Sequence, residues 1–195
     1  MVIRSYAKIN LSLNVNFKRN DGLHEIQSHF CLIDLADKIK IKSIKGGSDK
    51  IKFIGSFSKT ISIKDNSVLN TLKLLRKLKL ISSFYSVIIT KKIPVFAGLG
   101  GGTGNAAFIL KFLLKNEISK TLLNKVEKKI GTDLKLFFYK QGFLKNLGSI
   151  INLRKKQKLF FVLVQPKVKC STKEIYSKVK KYSKKRKFIS YAMVS

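Results

Sequence analysis

The chain has 195 residues, of which 45% are hydrophobic, which is enough for one large domain or for one domain and part of another. Its 41 basic and 10 acidic residues give a net charge of +31, but lysine is spread along the chain and arginine is scarce. A/T-rich codon usage explains such a charge better than a dedicated nucleic-acid surface does. No apolar run reaches the roughly 18 residues that a membrane span requires, and no apolar leader precedes the first strand. We therefore expect a cytoplasmic, reduced protein. The two cysteines are far apart in sequence and lack metal-ligand spacing.

The first predicted element is a half-buried strand over residues 8–15, where polar and apolar residues alternate. The pattern places its apolar residues on the core face: Ile9, Leu11, Leu13 and Val15. Lys8 and Asn10 would then share the opposite face. An Asn-Asp-Gly turn follows, and it leads to His24, which can hydrogen-bond through either ring nitrogen.

The next stretch predicts strands and then a helix. The continuous apolar run at residues 30–35 is typical of a buried strand, with Cys31 as a buried thiol. Shorter alternating strands are predicted at the following isoleucine and phenylalanine positions: Ile39, Ile41, Ile51, Phe53, Ile61 and Ile63. A helix then opens at Asp65 and Asn66, and Asp65 is a natural N-cap.

The most informative segment is the glycine-rich run at residues 94–107. Five of the chain's 12 glycines lie between Gly98 and Gly104. Residues 86–90 predict a strand before this run, and apolar residues at helical spacing predict a helix behind it. Glycine lets the backbone approach a ligand closely, and the first turn of a helix has unpaired N–H groups. The segment therefore predicts a phosphate site, in which Thr103 would cap the helix or offer a hydroxyl to a phosphate or its metal.

Two common phosphate loops do not describe this run. A Walker A loop would have Gly-Lys-Ser/Thr after the glycines, and that sequence is missing. The dinucleotide fingerprint fits residues 102–107 only weakly, because the acid expected about 20 residues later is Glu127. Glu127 belongs to an amphipathic helical pattern and does not end a second strand.

That amphipathic pattern predicts a helix that ends at Gly131, a typical C-cap. Asp133 follows directly, ahead of an apolar run at residues 134–138 that we interpret as a strand. A fully apolar strand is predicted again at residues 159–164, and Tyr176 falls on the helix after it. The basic stretch at residues 178–187 indicates a solvated helix face or a frayed end.

Residues 94–107 resemble the ATP loop of the GHMP kinases, whose pattern is Pro-x-x-x-Gly-Leu-Gly-Gly-Gly-Ser-Ser-x-Ala-Ala. Thr103 and Gly104 stand where that family usually has two serines. Four other segments resemble, in order, the motifs of a GHMP kinase that acts on a cytidine-containing substrate: residues 7–11, 19–26, 132–138 and 172–176. Lys135 replaces a family proline, and Leu23 replaces a family tyrosine.

The resemblance implies an α+β fold in two parts. Residues 1–150 would form the N-terminal ATP-binding domain, similar to the ribosomal-protein-S5 domain 2-like fold, which is a mixed sheet with helices on one side. Residues 151–195 would begin the ferredoxin-like C-terminal domain. The family's third glycine-rich motif has no counterpart after Tyr176. The resemblance therefore covers essentially all of this chain, as a C-terminally shortened version of the family.

The resemblance also implies roles for individual residues. Asp133 would be the base that accepts the proton of the substrate hydroxyl, and Lys8 would hold that carboxylate ionised. The ATP-binding set would be Pro94, Ala97, Gly98, Leu99, Gly100, Gly101, Gly102, Thr103, Gly104 and Asn66. The substrate-binding set would be Asn10, His24, Thr172 and Tyr176. Tyr176 would supply the stacking face that Leu23 cannot.

The implied activity is transfer of a phosphoryl group from ATP, with Mg²⁺, to a hydroxyl of cytidine diphosphate-linked methylerythritol, in the non-mevalonate route to isoprenoids. No specific nucleic acid and no membrane would be a partner, and a homodimer is one expected form. Three alternatives stay open from the residues alone: a GHMP kinase for another small alcohol, a non-catalytic remnant of the family and, least favoured, a basic nucleic-acid-binding protein.

Overall fold

The computed structural model describes residues 2–115, 117–153, 155–166 and 172–186. Within them the strands are β1 (Val2–Asn10), β2 (Asn14–Lys18), β3 (His24–Ile44), β4 (Lys50–Ile54), β5 (Phe84–Thr90), β6 (Gln141–Asn146) and β7 (Ser149–Asn152). The α-helices are α1 (Ser67–Lys77), α2 (Gly101–Leu114), α3 (Lys120–Ile130) and α4 (Thr172–Ser177), with a 3₁₀ helix at Leu134–Phe138. The chain divides into two compact units.

The first unit consists of Met1–Lys8, Ile33–Val95 and Leu99–Phe138. Strand β5 lies between β3, which it pairs with antiparallel, and β4, which it pairs with in parallel. Helix α1 provides the crossover that a parallel pair requires. Alternation along β3 leaves its lysines exposed and turns its isoleucines inward. The resulting core joins the sheet to α1 and α2 through Ile39, Ile41, Ile51, Val68, Leu72, Val87, Ile89 and Ile109.

The second unit consists of Ile9–Leu32, Phe96–Gly98 and Tyr139–Ser195. Its sheet is antiparallel: the first residues of β3 pair with β2, and Ser28 to Cys31 pair with β6. A hairpin joins β6 to β7. Close packing holds this sheet together, because a Cβ at Gly142 would lie 2.8 Å from the Phe30 ring.

Several sequence predictions are confirmed. The strand at residues 86–90 lies within β5, and the run at residues 30–35 lies within β3. Helices α1, α2 and α3 occur where their patterns predicted them, and Gly131 is the C-cap of α3. Cys31 is buried, with 1% of its surface exposed, and burial raises the pKa of its thiol.

The predicted strand at residues 8–15 is wrong in both extent and facing. Strand β1 ends at Asn10 and β2 begins at Asn14, so the intervening residues interrupt the strand. Lys8 is 3% exposed, whereas Leu13, which was placed on the core face, is 45% exposed. The alternation failed because a buried ion pair, described below, takes the Lys8 side chain to the inner face.

Two other predicted strands take different forms. Residues 134–138 form the 3₁₀ helix, in which the amides of Leu134 and Leu136 each donate to the carbonyl three residues before, at Gly131 and Asp133. The segment around Ile61 and Ile63 is a loop, and Ile63 is 61% exposed. In both places local turn hydrogen bonds prevail over an apolar pattern.

The C-terminal part of the chain differs from its predicted structure in two places. Residues 159–164 form no strand within the described chain, and Phe160 and Val162 are 83% and 91% exposed. An apolar run becomes a strand only where a neighbouring strand accepts its hydrogen bonds, and the described residues provide none. Of the two interpretations of residues 178–187, the helix face is wrong over the described residues, because α4 ends at Ser177 and the chain then continues without helix to residue 186. Lys187 lies outside the described residues.

That extended stretch is held in the second unit by β2 and β3. The amide of Ser183 donates to the Val15 carbonyl at 2.7 Å. The side chain of Gln27 exchanges two hydrogen bonds with the backbone of Arg186, at 3.0 and 2.8 Å. Hydrogen bonds to β2 and β3 therefore hold this stretch in place of the predicted helix face.

The mixed sheet with helices packed on it agrees with the predicted α+β class. Within the residues that the structure describes, no helix is both long enough and apolar enough to cross a bilayer. The division at residue 150 refers to the domains of the family, and it stays a prediction.

Candidate active site

The glycine-rich run forms the start of α2. Gly100 is the N-cap of this helix, with a left-handed φ of 67°, and no side chain caps the helix. Of the two roles predicted for Thr103, the helix cap is therefore wrong, and the hydroxyl for a phosphate or its metal stays a prediction. Gly98 is also left-handed, and a Cβ there would meet nothing within 4 Å. The first N–H groups of α2 have no intrahelical acceptor, so this end of the helix can bind an anion.

Packing also requires glycine in this run. A Cβ at Gly100 would lie 2.7 Å from Cζ of Phe137, and one at Gly104 would lie 2.9 Å from Cε1 of the same ring. A Cβ at Gly101 would lie 3.1 Å from Nζ of Lys91. The glycine pattern therefore has two causes, a helix start open to an anion and close contact with the 3₁₀ helix.

Lys8 and Asp133 meet beside this run. Nζ of Lys8 lies 3.1 Å from Oδ2 of Asp133, and their side chains are 4% and 38% exposed. The amide of Lys8 donates to the Leu99 carbonyl at 3.0 Å, which fixes the end of β1 against the glycine run. The ammonium is therefore buried, while its carboxylate partner is open to solvent on one side.

A second ion pair, which the sequence did not predict, lies at the strand end of the same run. Asp37 is fully buried and forms an ion pair with Lys91. Its carboxylate also accepts from the amides of Lys92 and Ile93, at 2.7 and 2.9 Å, and from the Asn105 amide group at 3.1 Å. These bonds connect β3, the segment after β5, and α2. The available signal was an acid between the apolar residues Ala36 and Ile39 of β3.

Side chains from two helices anchor the 3₁₀ helix that follows Asp133. Nζ of Lys111 donates to the Phe137 carbonyl at 2.6 Å and lies over the ring of Phe138, at 4.7 Å from its centre. Burial lowers the pKa of Lys111. Glu127 of α3 forms a 2.7 Å ion pair with Lys135. None of these interactions was predicted.

Asn66 is the N-cap of α1, a role that the sequence considered for its neighbour Asp65. Its side-chain oxygen accepts from the Leu69 amide at 2.9 Å. Its NH₂ group donates to the carbonyls of Ser62 and Ile63, both at 3.1 Å. Capping therefore engages both polar ends of the side chain, and the assigned contact with ATP stays a prediction.

The second unit brings two of the four predicted substrate residues into contact. The rings of His24 and Tyr176 stack with centres 5.2 Å apart and planes 22° apart, and Tyr182, which was not predicted, lies 6.2 Å from His24. Asn10 accepts a hydrogen bond from Ser28 at 3.1 Å. The side chain of Thr172, the first residue of α4, lies outside the described residues.

Comparison with known proteins gives several relatives and no matching family model. The chain is 41% identical over 187 residues to 4-diphosphocytidyl-2-C-methyl-D-erythritol kinase of Pelagibacter ubique, a match that covers 93% of this chain and 66% of the relative. It is 33% identical to the protein of the same name from Ureaplasma parvum, with 91% of this chain and 69% of the relative covered.

A solved structure agrees with these relatives. The crystal structure of 4-(cytidine 5'-diphospho)-2C-methyl-D-erythritol kinase matches with a TM-score of 0.58 and 26% identity, over 78% of this chain and 54% of that one. The predicted GHMP fold is thereby confirmed. The chain spans about two thirds of the length of the first curated relatives, at 66%, 64% and 65%. By sequence and by fold, the chain belongs to the 4-diphosphocytidyl-2-C-methyl-D-erythritol kinase family.

Proposed function

We propose that this chain transfers the γ-phosphate of ATP to the 2-hydroxyl of 4-diphosphocytidyl-2-C-methyl-D-erythritol, in the non-mevalonate route to isoprenoid precursors. Membership of the family supports the reaction. The observation that carries the proposal is the Lys8–Asp133 ion pair, at 3.1 Å, beside the open start of α2. A cytoplasmic location and homodimer formation belong to the same proposal.

The proposed chemistry assigns the proton to Asp133. Phosphoryl transfer needs an aligned acceptor hydroxyl and a stabilised phosphoryl charge. Oδ2 of Asp133 would accept the proton of the substrate hydroxyl, since this carboxylate is 38% exposed and accessible from solvent. The ammonium of Lys8, which is 4% exposed, would hold the carboxylate in place and offset the negative charge of the phosphates.

The start of α2 fits a triphosphate. Gly98 leaves open space where a side chain would stand, and Gly100 begins the helix without a capping side chain. The backbone N–H groups of Gly101, Gly102 and Thr103 would therefore donate to phosphate oxygens. The hydroxyl of Thr103 would help to hold Mg²⁺, which would neutralise part of the phosphate charge.

The cytosine would be bound by the aromatic pair of the second unit. The stacked rings of His24 and Tyr176 offer a flat surface, and Tyr176 is only half-buried. Cytosine can stack on such a surface and hydrogen-bond to an imidazole nitrogen. Asn10 and Thr172 complete the proposed substrate set.

The test is ADP release by the purified chain with Mg-ATP and 4-diphosphocytidyl-2-C-methyl-D-erythritol. Loss of a general base lowers the rate by about 10²- to 10⁴-fold, so we expect that fall in kcat for Asp133→Asn. The matched control is Asp34→Asn, the same change at a carboxylate that is 92% exposed and pairs only with Arg4 among the described side chains. It should leave kcat unchanged.

The proposal would be supported if the native chain turns over and Asp133→Asn does not. Equal turnover by the native chain and Asp133→Asn would overturn the assignment of the base. A native chain without turnover, in an assay where a full-length relative is active, would overturn the proposed activity and leave family membership intact.

A further inference from the structure

The turn that carries Asp133 is bridged by a nearly buried ion pair. Glu127 lies in the last turn of α3, and Lys135 is the second residue of the 3₁₀ helix. Oε2 of Glu127 lies 2.7 Å from Nζ of Lys135, and the two side chains are 12% and 11% exposed. Asp133 lies between them in sequence, so the pair closes the loop of chain that presents its carboxylate.

Backbone hydrogen bonds define the same turn. The amide of Gly131 donates to the Glu127 carbonyl at 2.8 Å and ends α3. The Leu134 amide then donates to the Gly131 carbonyl at 3.1 Å, and the Leu136 amide to the Asp133 carbonyl at 3.0 Å. These bonds are short-range and weak individually. The ion pair adds a side-chain connection between the two helices that flank them.

The charges around Asp133 form an alternating group. Lys8 pairs with Asp133, and Lys135 pairs with Glu127. Burial raises the pKa of Glu127, the neighbouring Asp133 carboxylate adds to this rise, and Lys135 opposes it. The two carboxylates are therefore close enough to repel one another. Lys135 counters the charge of Glu127, and Lys8 counters that of Asp133.

Stability alone does not explain this pair. The cost of removing two charges from water offsets most of the attraction in a buried ion pair. A protein with an apolar pair of the same volume in its place is often as stable. Oε1 of Glu127 is buried without a hydrogen-bond partner among the described residues, which adds to the cost. What the pair does provide is a fixed geometry, because it ties the last turn of α3 to the 3₁₀ helix on either side of Asp133.

We propose that Glu127 and Lys135 are positioning residues, whose ion pair fixes the turn so that the Asp133 carboxylate stays against Lys8. Neither residue touches the reacting atoms. The inference rests on the proposed role of Asp133 as the base, and it adds two residues that carry no assigned function.

The kinetic test uses Glu127→Gln, which keeps the shape of the side chain, and Lys135→Met. A misplacement near 1 Å can cost about 100-fold in rate, so we expect kcat to fall by about 10- to 100-fold in each variant. The KM values for ATP and for the cytidine substrate should stay within about 3-fold, because neither residue contacts a substrate. The double variant should lose no more than the larger single loss, since the two residues act as a unit.

Asp133→Asn provides the decisive background. If the pair acts through Asp133, adding Glu127→Gln to Asp133→Asn leaves the residual rate unchanged. A rise in KM with unchanged kcat in the single variants would overturn the positioning role. A further loss of rate when Glu127→Gln is added to Asp133→Asn would overturn it as well. The same holds if both single variants keep the native kcat while Asp133→Asn loses activity.

A second readout needs no turnover. Amide hydrogen exchange at Leu134 and Leu136 should be at least about 10-fold faster in Glu127→Gln than in the native chain, because the turn opens more often. The amides of α1 should exchange at the native rate, which also shows that the variant is folded. Unchanged exchange at Leu134 and Leu136 would overturn the inference even if the kinase proposal holds. Faster exchange in an inactive chain would show that the pair fixes the turn, and the failure would then lie in the proposed activity.

Discussion

Two ion pairs at the glycine-rich run differ in how completely they are enclosed. Asp37 and Lys91 are both buried, and the Asp37 carboxylate has four donors. Lys8 is equally buried, but its partner Asp133 is 38% exposed. The first pair joins β3 to both ends of the run, and the second leaves a carboxylate accessible from solvent.

The difference in enclosure indicates that the Asp37 pair stabilises the fold and that the Asp133 pair serves the chemistry. A carboxylate with every lone pair occupied holds structure and cannot take up a proton without losing its bonds. A carboxylate with one open side can exchange a proton with another molecule. Removal of the Asp37 charge should therefore affect folding, and removal of the Asp133 charge should affect chemistry.

The largest expected effect on stability is that of Asp37→Asn. Removing one partner of a buried pair costs about 3–5 kcal/mol, because the Lys91 charge stays buried without its counter-charge. Asp133→Asn should cost less, because 38% of this side chain is exposed and solvent screens its attraction for Lys8. Urea denaturation of the three proteins, followed by circular dichroism, measures both differences.

The double variant Asp37→Asn/Lys91→Met is the matched control. It removes both charges together, so it should recover much of the stability lost in Asp37→Asn. Equal losses in Asp37→Asn and Asp133→Asn would show that enclosure does not distinguish the two pairs.

A smaller effect on the free energy of unfolding is expected at the glycines beside the Lys8–Asp133 pair. In Gly100→Ala the new Cβ would lie 2.7 Å from Phe137 and 3.9 Å from Cε of Lys8, at a φ of +67°. Overpacking costs about 1–3 kcal/mol, and the left-handed backbone costs about 1–2 kcal/mol more. Gly98→Ala has the same backbone cost without the clash, since nothing lies within 4 Å at a φ of +71°. Thermal and urea unfolding should rank Gly100→Ala below Gly98→Ala, and equal losses would contradict the packing role of Phe137.

The smallest effect concerns pH and Glu127. Burial and Asp133 raise the pKa of Glu127 in the folded protein, despite Lys135, so the folded state binds its proton more tightly than the unfolded state does. Acidification through the interval between the ordinary pKa and the raised pKa therefore stabilises the native chain relative to Glu127→Gln. The free energy of unfolding of the native chain minus that of Glu127→Gln, measured from about pH 7 to about pH 5, should therefore rise as the pH falls. A difference that falls on acidification would contradict the sign of the shift.

Local signals predicted much of the fold. Strand β5, helix α1 and the cap of α3 at Gly131 follow from β-branched residues, apolar spacing and turn chemistry, all of which act over a few residues. The run at residues 159–164 is entirely apolar, yet it forms no strand within the described chain. Strand formation depends on a neighbour, and composition does not report whether one is available.

The candidate site was predicted only in part, for a related reason. No periodicity connects Lys8 to Asp133, and their proximity was expected solely from the family resemblance. Asp37 and Glu127 act through Lys91 and Lys135, and each pair is defined by the fold. The role of Phe137 in selecting glycine was hidden for the same reason, because its contact with Gly100 exists only once the 3₁₀ helix has packed.

The buried thiol of Cys31 gives the fold a built-in reporter. It lies in the long strand β3, with 1% of its surface exposed and a pKa raised by burial. A thiol reagent can react with it only when the strand separates from its neighbours. In a Cys170→Ser background, the labelling rate of Cys31 therefore measures how often β3 opens in an otherwise folded chain.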